Sequence, residues 1–367
     1  MSDQTAAQPA HSYPCASCGA TVQFAPGTNS LQCPYCGHQQ QVAPPQRQVR
    51  EHSFSELTHK ARTPVQSLAP NHFVCQGCGA RTEGTELARN CQFCAAPLVA
   101  DTSGGEIVPP EAVLPFALAR GDAREALRGW VKSRWFAPKR LKNVTEAESS
   151  KSTYVPHWTY DARTTSRYVG ERGVYYYVTE TYTTTENGRS VTRTRQVRRT
   201  RWYPASGTVA RDFDDILIMA TRHVTQKQLR ELEPWPLKKA VAYRPEYLAG
   251  HQALRYDVEP EAGFESAKQE AAQVIRQDCR SDIGGDEQRV HSVDTRYRDV
   301  TYKLMLLPVW ICCYLFSGKP WQVLINGVTG EVQGQRPYSA WKIAGAVTAG
   351  LALVAAIVVL VMLAQNK

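Results

Sequence analysis

Val174-Tyr-Tyr-Tyr-Val-Thr-Glu-Thr-Tyr-Thr-Thr-Thr-Glu186, Asn187-Gly188 and Arg189-Ser-Val-Thr-Arg-Thr-Arg-Gln-Val-Arg-Arg-Thr-Arg201 read as strand, turn and strand. Asn-Gly accepts the positive φ angles of a type I′ turn, whose twist matches that of flanking antiparallel strands. Both flanks alternate with period two and are rich in Tyr, Val and Thr. A two-residue turn sets residue 186 opposite 189. One face then carries Val174, Tyr176, Val178, Glu180 and Tyr182 opposite Arg201, Arg199, Val197, Arg195 and Arg193. Neither face is apolar enough for a core along its full length, so the distal half of this long hairpin is expected to project into solvent. Arg193, Arg195, Arg199 and Arg201 are therefore candidates for contact with an anionic surface, either lipid headgroups or a phosphate backbone. The competing reading is a self-satisfied hairpin, with tyrosine faces and Glu180 offsetting the arginines at about 0.2–1 kcal/mol per cross-strand pair.

The hairpin lies in the most basic part of the chain. Residues 151–204 hold ten Lys and Arg against four acids, whereas residues 1–100 hold six against five, within a 367-residue chain of net charge +9. A local excess of this size bears on partners and surfaces. Mean hydropathy of −0.40 excludes a polytopic membrane protein, and 11 Cys in this length exclude a small disulfide scaffold.

Around the hairpin, residues 106–338 read as one α+β interaction domain rich in antiparallel sheet. Residues 121–136 have helical spacing at Ala126, Trp130, Val131 and Trp135, with Asp122 as N-cap. Glu261 to Asp278 is a second helix, with Phe264, Ala267, Ala271, Val274 and Ile275 on one side. A Pro-x-Trp strand follows each helix, at Pro156-His157-Trp158 and Pro308-Val309-Trp310, and this repeated order suggests a duplication. The second continues as a meander through turns at Ser317-Gly318-Lys319, Asn326-Gly327 and Thr329-Gly330.

Towards the N-terminus stands the most specific signal. Cys15-Ala-Ser-Cys18-Gly19 and Cys33-Pro-Tyr-Cys36-Gly37 form one pair of CxxC turns; Cys75-Gln-Gly-Cys78-Gly79 and Cys91-Gln-Phe-Cys94 repeat it. Each turn sets two thiolates on one side of a metal, and a second turn brought over by a short hairpin completes a tetrahedron. Disulfides fit poorly in a chain without an export signal. Redox CxxC motifs are usually solitary and open a helix. The expectation is two Zn²⁺ ions in zinc ribbons at 13–40 and 71–100. Four thiolates leave no open position, so both sites are structural. Nearby His11, His38 and His72 read as surface residues. A disordered segment is expected at 1–12, and a flexible linker at 41–70, rich in Gln, Pro and Ser.

The N-terminus MSDQTAAQPA lacks the charged and apolar regions of a signal peptide. At the other end, Ile343 to Ala364 contains no charged residue and one hydroxyl, Thr348. A helix of that length spans roughly 33 Å, against about 30 Å of hydrocarbon. The sequence expectation is a tail-anchored, single-pass protein of the cell membrane, with a transmembrane helix at 343–364 and the head in the cytoplasm. Arg336 and Lys342 before the span fit that orientation.

The order of motifs resembles a known family. Paired zinc ribbons precede Val113-Leu-Pro-Phe116, a helix ending Trp135-Phe-Ala-Pro138, and Tyr154-Val-Pro-His-Trp-Thr-Tyr-Asp161. Leu307-Pro-Val-Trp310 and Val323-Leu-Ile-Asn-Gly327 follow. This is similar to bacterial zinc-ribbon proteins, described as having TFIIB-type ribbons, that often end in a membrane span. The resemblance covers most of residues 15–335. It implies no established activity, although such proteins are often labelled after the replication-restart primosomal helicase.

An ATP-driven motor needs a GxxxxGK[ST] loop and an acidic Mg²⁺ site. Here the one Gly-Lys pair, Gly318-Lys319, precedes Pro320 within a hairpin, and Asp214-Asp215 precedes rather than follows Ile216-Leu217-Ile218. GxSxG, HExxH and GxGxxG are absent. Asp212, Asp214 and Asp215 read as a solvated turn; His157 and His223 are single histidines without visible partners. No small-molecule substrate is evident. The resulting expectation is a non-enzymatic binding or scaffold module at the membrane with a protein partner. The alternative is a membrane-tethered nucleic-acid-binding protein.

Overall fold

The computed structural model describes residues 13–43, 47–57, 71–84, 90–94, 96, 98–100, 108–133, 151–186, 189–224, 226–316, 319–334 and 340–365. The expected disorder at 1–12, the Trp135-Phe-Ala-Pro138 segment and the turns at Asn187-Gly188 and Ser317-Gly318 lie outside the described residues.

The first ribbon is a three-stranded antiparallel sheet of β1 (Gln23–Phe24), β2 (Ser30–Gln32) and β3 (Gln39–Gln41). The connection then runs along the main body. In it, β4 (His52–Ser53) pairs with the long strand Glu287–Phe316, and Phe54 packs against Tyr160, Phe264 and Tyr302. The second ribbon is built on β5 (Asn71–Cys75), β6 (Arg81–Gly84) and β7 (Leu98–Ala100).

After β8 (Ala112–Val113), helix α1 covers Arg120–Lys132. It starts earlier than its spacing suggests. Ala119 occupies the cap, and Asp122, one turn in, accepts the Ala119 N–H at 3.2 Å. Three very long strands form the body: β9 (Lys151–Glu186), β10 (Arg189–Met219) and β13 (Glu287–Phe316). Between β10 and β13 lie α2 (Gln226–Glu231), β11 (Val241–Ala242), β12 (Gln252–Leu254) and α3 (Pro260–Ile283). The chain ends in β14 (Lys319–Asn326), β15 (Val332–Gly334) and α4 (Ala340–Gln365). Twelve strands join in one sheet along the path β11-β8-β13-β9-β12-β6-β5-β7, with β10 on β9, β14 on β13, and β4 and β15 at the side.

In β9 and β10, Glu186 lies opposite Arg189 and Val174 opposite Arg201, the register that a two-residue Asn-Gly turn imposes. The two Pro-x-Trp segments sit side by side, with Pro308 opposite Tyr154 and Leu306 opposite Pro156. Sheets accumulate twist, and strands of this length relieve it with bulges. Both outer strands bulge at the same level, beside Asp161 of the central strand. The register shifts fall between Phe213 and Ile216 and between Arg298 and Thr301, and Asp215 (φ 53°) and Asp299 (φ 49°) take positive φ there.

Helix α3 covers the proximal part of these strands. Phe264 and Ala267 pack with Trp158 and Tyr160, while Ala271, Ile275, Cys279 and Ile283 pack with Tyr168. Val274, expected on that face, is 40% exposed, because a narrower stripe suffices to cover the sheet.

Two expectations need correction. Among the described residues 47% are strand and 26% helix, and β6 carries the second ribbon into the main sheet by pairing with β12. It is thus not the expected α+β assembly of ribbons, interaction domain and transmembrane helix. Among the described residues, no helix is long and apolar enough to cross a membrane. Ile343, Leu360 and Leu363 lie outside the described side chains. The transmembrane helix at 343–364 and the single-pass membrane location are therefore not supported.

Candidate metal centres and arm

Each CxxC turn closes on itself. Gly19, Gly37 and Gly79 donate their N–H groups to the carbonyls of Cys15, Cys33 and Cys75 at 2.9, 3.0 and 2.9 Å. All three take φ near +73°, a region open to glycine at little cost. Ala95, which replaces glycine in the fourth turn, lies outside the described residues.

The turns bring Cys15, Cys18, Cys33 and Cys36 together, and likewise Cys75, Cys78, Cys91 and Cys94. Sulfur separations are 3.5 Å for Cys15–Cys36 and 3.6 Å for Cys18–Cys33; in the second cluster they are 3.4 Å for Cys75–Cys94 and 3.7 Å for Cys78–Cys91. A zinc tetrahedron with bonds of about 2.3 Å has edges of about 3.8 Å, whereas a disulfide bond is about 2.05 Å long. The donor sets fit two zinc ions, each held by four thiolates.

Local electrostatics favour thiolate at Cys15 and Cys33 of the first cluster and at Cys75 of the second, with the Cys18 N–H the largest influence lowering Cys15. The Cys36 N–H is the largest influence drawing Cys33 down to about 6. At Cys75 burial opposes ionisation, but the N–H groups of Cys78 and Gly77 outweigh it, leaving the thiol at about 7. With zinc bound, these sites act chemically as cross-links, and binding supplies folding energy.

Both ribbons are built into the body. Phe24 donates its N–H to Ala249 O at 2.8 Å, and its ring lies against Tyr247 and His251. Val22, Phe24, Leu31 and Val42 belong to the same buried cluster as Phe116, Tyr154 and Trp310. Gly250 (φ +80°) permits this approach, since a Cβ there would meet Gln23 at 2.7 Å. In the second ribbon, Phe93 stacks on His223, Gln92 accepts from the Thr153 hydroxyl at 2.9 Å, and the buried Glu83 carboxylate pairs with the Arg255 guanidinium. Arg255 also donates to His72 Nδ1 at 3.0 Å.

Sequence reasoning missed one cluster. Glu51, Asp161 and Asp215 converge, and the Lys303 ammonium, 6% exposed as a residue, pairs with Glu51 and with Asp215 Oδ1 at 2.6 Å. Asp215 therefore belongs to an ion cluster at the bulges and not to a solvated turn. The four members of the cluster come from four distant segments, so no local pattern announces them. Burial and the Glu51 carboxyl push Asp161 up to about 7. Glu51 falls to about 2: burial opposes this, and hydrogen bonds from Asp161, Lys303 and Thr301 prevail. These opposite shifts leave the proton on Asp161 beside the Glu51 carboxylate, and Lys303 already supplies the cation. His223 also has a partner that the sequence concealed, Asp257 at 3.3 Å.

Beyond Gly173, where β13 leaves the ribbon at Glu287, β9 and β10 continue alone as an arm. On it Glu180 accepts from Arg199 at 2.7 Å and from Arg195 at 3.3 Å. Arg195 lies over Tyr182, Arg201 over Tyr176 and Arg198 over Tyr175, at 5.5, 5.0 and 4.2 Å from the ring centres. Arg193 is exposed on the same face. The pairing reduces free charge without burying it: the Arg195 and Arg199 side chains remain 62% and 55% exposed.

No family model matches the chain, and no solved structure matches it. The chain is similar to the uncharacterized protein YdjG of Bacillus subtilis (strain 168). The two are 26% identical over 335 residues, covering 91% of this chain and 92% of the relative.

Proposed function

We propose that this protein is a non-enzymatic binding module in which two structural zinc ribbons brace a sheet-based body and the β9–β10 arm makes the functional contact. The observation that carries this reading is the arm itself: from Val174 to Arg201 most side chains on both faces are exposed or half-exposed, while the proximal strands are covered by α3. A two-stranded ribbon open on both faces is marginally stable alone. Its retention at this length fits selection for contact and not for packing.

Three observations support a role outside catalysis. Both cysteine clusters offer four sulfurs, which fill a zinc tetrahedron and leave no open position for substrate. In the acidic cluster at the bulges, the Lys303 ammonium is already engaged by Glu51 and Asp215. A cleft of about 490 Å³ beside Asp215 and Trp235 is lined by engaged polar groups: Arg230 pairs with Glu270, and Gln226 bonds the backbones of Leu217 and Met219.

The test is photocrosslinking in the native host, with a photoreactive residue placed in the full chain at Tyr177, Thr192 or, as control, Val274 on α3. Discrete adducts at the two arm positions and none at the control are expected. Adducts confined to the control, or none on the arm, would refute the arm as the contact surface.

A further inference from the structure

We propose that the arginine face of the arm binds the phosphate backbone of duplex nucleic acid, with the two-stranded ribbon lying along a groove. This deepens the reading of the arm as the contact surface and rests on it.

Shape comes first. From Val174 to Glu186 the arm is roughly 44 Å long at about 3.4 Å per residue and two strands wide. The major groove, about 12 Å wide, admits a two-stranded β-ribbon. Asp286 and Glu287 reach Tyr175 and Thr200 at the base of the arm; beyond that, both faces carry exposed or half-exposed side chains and the two strands pair with each other.

Charge agrees. Between Val174 and Arg201 the sequence holds six arginines and two glutamates. Four arginines, Arg193, Arg195, Arg199 and Arg201, share the face on which Glu180 stands. Glu180 takes one donor group each from Arg195 and Arg199. A guanidinium has five N–H donors, so these two keep most of theirs for phosphate oxygens while Glu180 fixes their planes. Tyr176 and Tyr182 hold Arg201 and Arg195 upright by cation–π contact. The pairing that makes the hairpin locally satisfied also presents its arginines in a fixed row.

An acidic protein partner is the lesser fit. Protein interfaces are organised around an apolar, desolvated core from which charge is depleted. On this face the aliphatic residues are Val174, Val178 and Val197, each flanked by arginine or glutamate in the pairing. A phosphate backbone requires no such core, because its affinity comes from counterion release.

The experiment uses the full zinc-loaded chain and fluorescence anisotropy. The probes are a mixed-sequence 20-base-pair DNA duplex, its separated strand, polyglutamate, and phosphatidylserine vesicles, each at 50 and 200 mM salt. The duplex should bind, and a quadruple variant (Arg193→Gln, Arg195→Gln, Arg199→Gln, Arg201→Gln) should bind it more weakly, with two zinc ions per chain retained. Each lost phosphate contact removes about 0.9 from the slope of log affinity against log salt. The wild type should therefore lose about 150-fold more affinity than the variant between the two salt concentrations. No duplex binding at 50 mM salt, or equal salt dependence in the two proteins, overturns the proposal. Preference for polyglutamate, vesicles or the single strand over the duplex overturns it too, while arm crosslinks would still sustain the arm as the contact surface. Arm adducts that resist nuclease and yield to protease likewise overturn the duplex as the ligand and leave the arm as the contact surface.

Discussion

Replacing Asp161 by Asn tests the proton held on Asp161 at the paired bulges. Asp161 is pushed up to about 7 from 3.8 by burial and the adjoining Glu51 carboxyl. The folded protein thus keeps a proton between pH 4 and pH 7 that the unfolded chain has released. Stability from this group is greatest in acid and falls as pH rises through that window, levelling off above 7. Glu51 has the opposite sign. Its carboxylate is lowered from 4.5 to about 2, so its contribution is present above 4.5 and lost as pH falls towards 2. Two of the roughly three units of the Asp161 shift lie between pH 5 and pH 7, worth about 2.7 kcal/mol unscreened. Asp161 is only partly buried, and solvent screening reduces this to about 1.3 kcal/mol. Asn is close in shape to the protonated acid and carries no titrating proton. Asp161→Asn should therefore gain about 1.3 kcal/mol on the wild type between pH 5 and pH 8, read by urea denaturation of zinc-loaded protein at both values. A stability difference that does not change with pH would refute the account of a proton held on Asp161.

Cys33→Ser should lower zinc content from two ions per chain to one by elemental analysis, and should lower the thermal midpoint of the whole protein, because Phe24 and Leu31 of that ribbon lie in the main core. Glu83→Gln leaves Arg255 buried without its counter-charge and should cost about 3–5 kcal/mol in denaturant unfolding, whereas Glu83→Leu with Arg255→Met should recover much of the loss. His251 is lowered by burial to about 3, so it stays neutral when folded and protonates near 6.5 when unfolded; its contribution is present above pH 6.5 and is lost on acidification towards 3. His251→Phe should flatten the decline of stability between pH 6.5 and pH 4, as followed by circular dichroism melts.

The sequence by itself determined what depends on near neighbours. Paired CxxC turns implied two four-sulfur clusters, with glycine at positive φ after three of the four turns, because the spacing of a turn is local geometry. Asn187-Gly188 determined the arm's register, since a two-residue turn leaves one pairing available. The sequence also placed four arginines on one face, but their engagement with Glu180, Tyr176 and Tyr182 depends on rotamers that alternation leaves open. Only tertiary structure decided that the ribbons are part of the body, because the contacts of Phe24 with Tyr247 and of Glu83 with Arg255 join segments far apart in the chain. The same holds for the cluster of Glu51, Asp161, Asp215 and Lys303, assembled from four segments where two bulges face one central strand. At the C-terminus, composition alone suggested a membrane span, whereas among the described residues no helix is long and apolar enough to cross one. Local rules fix turns and registers because few atoms must agree; packing partners are fixed only when the whole chain competes for the same buried surface.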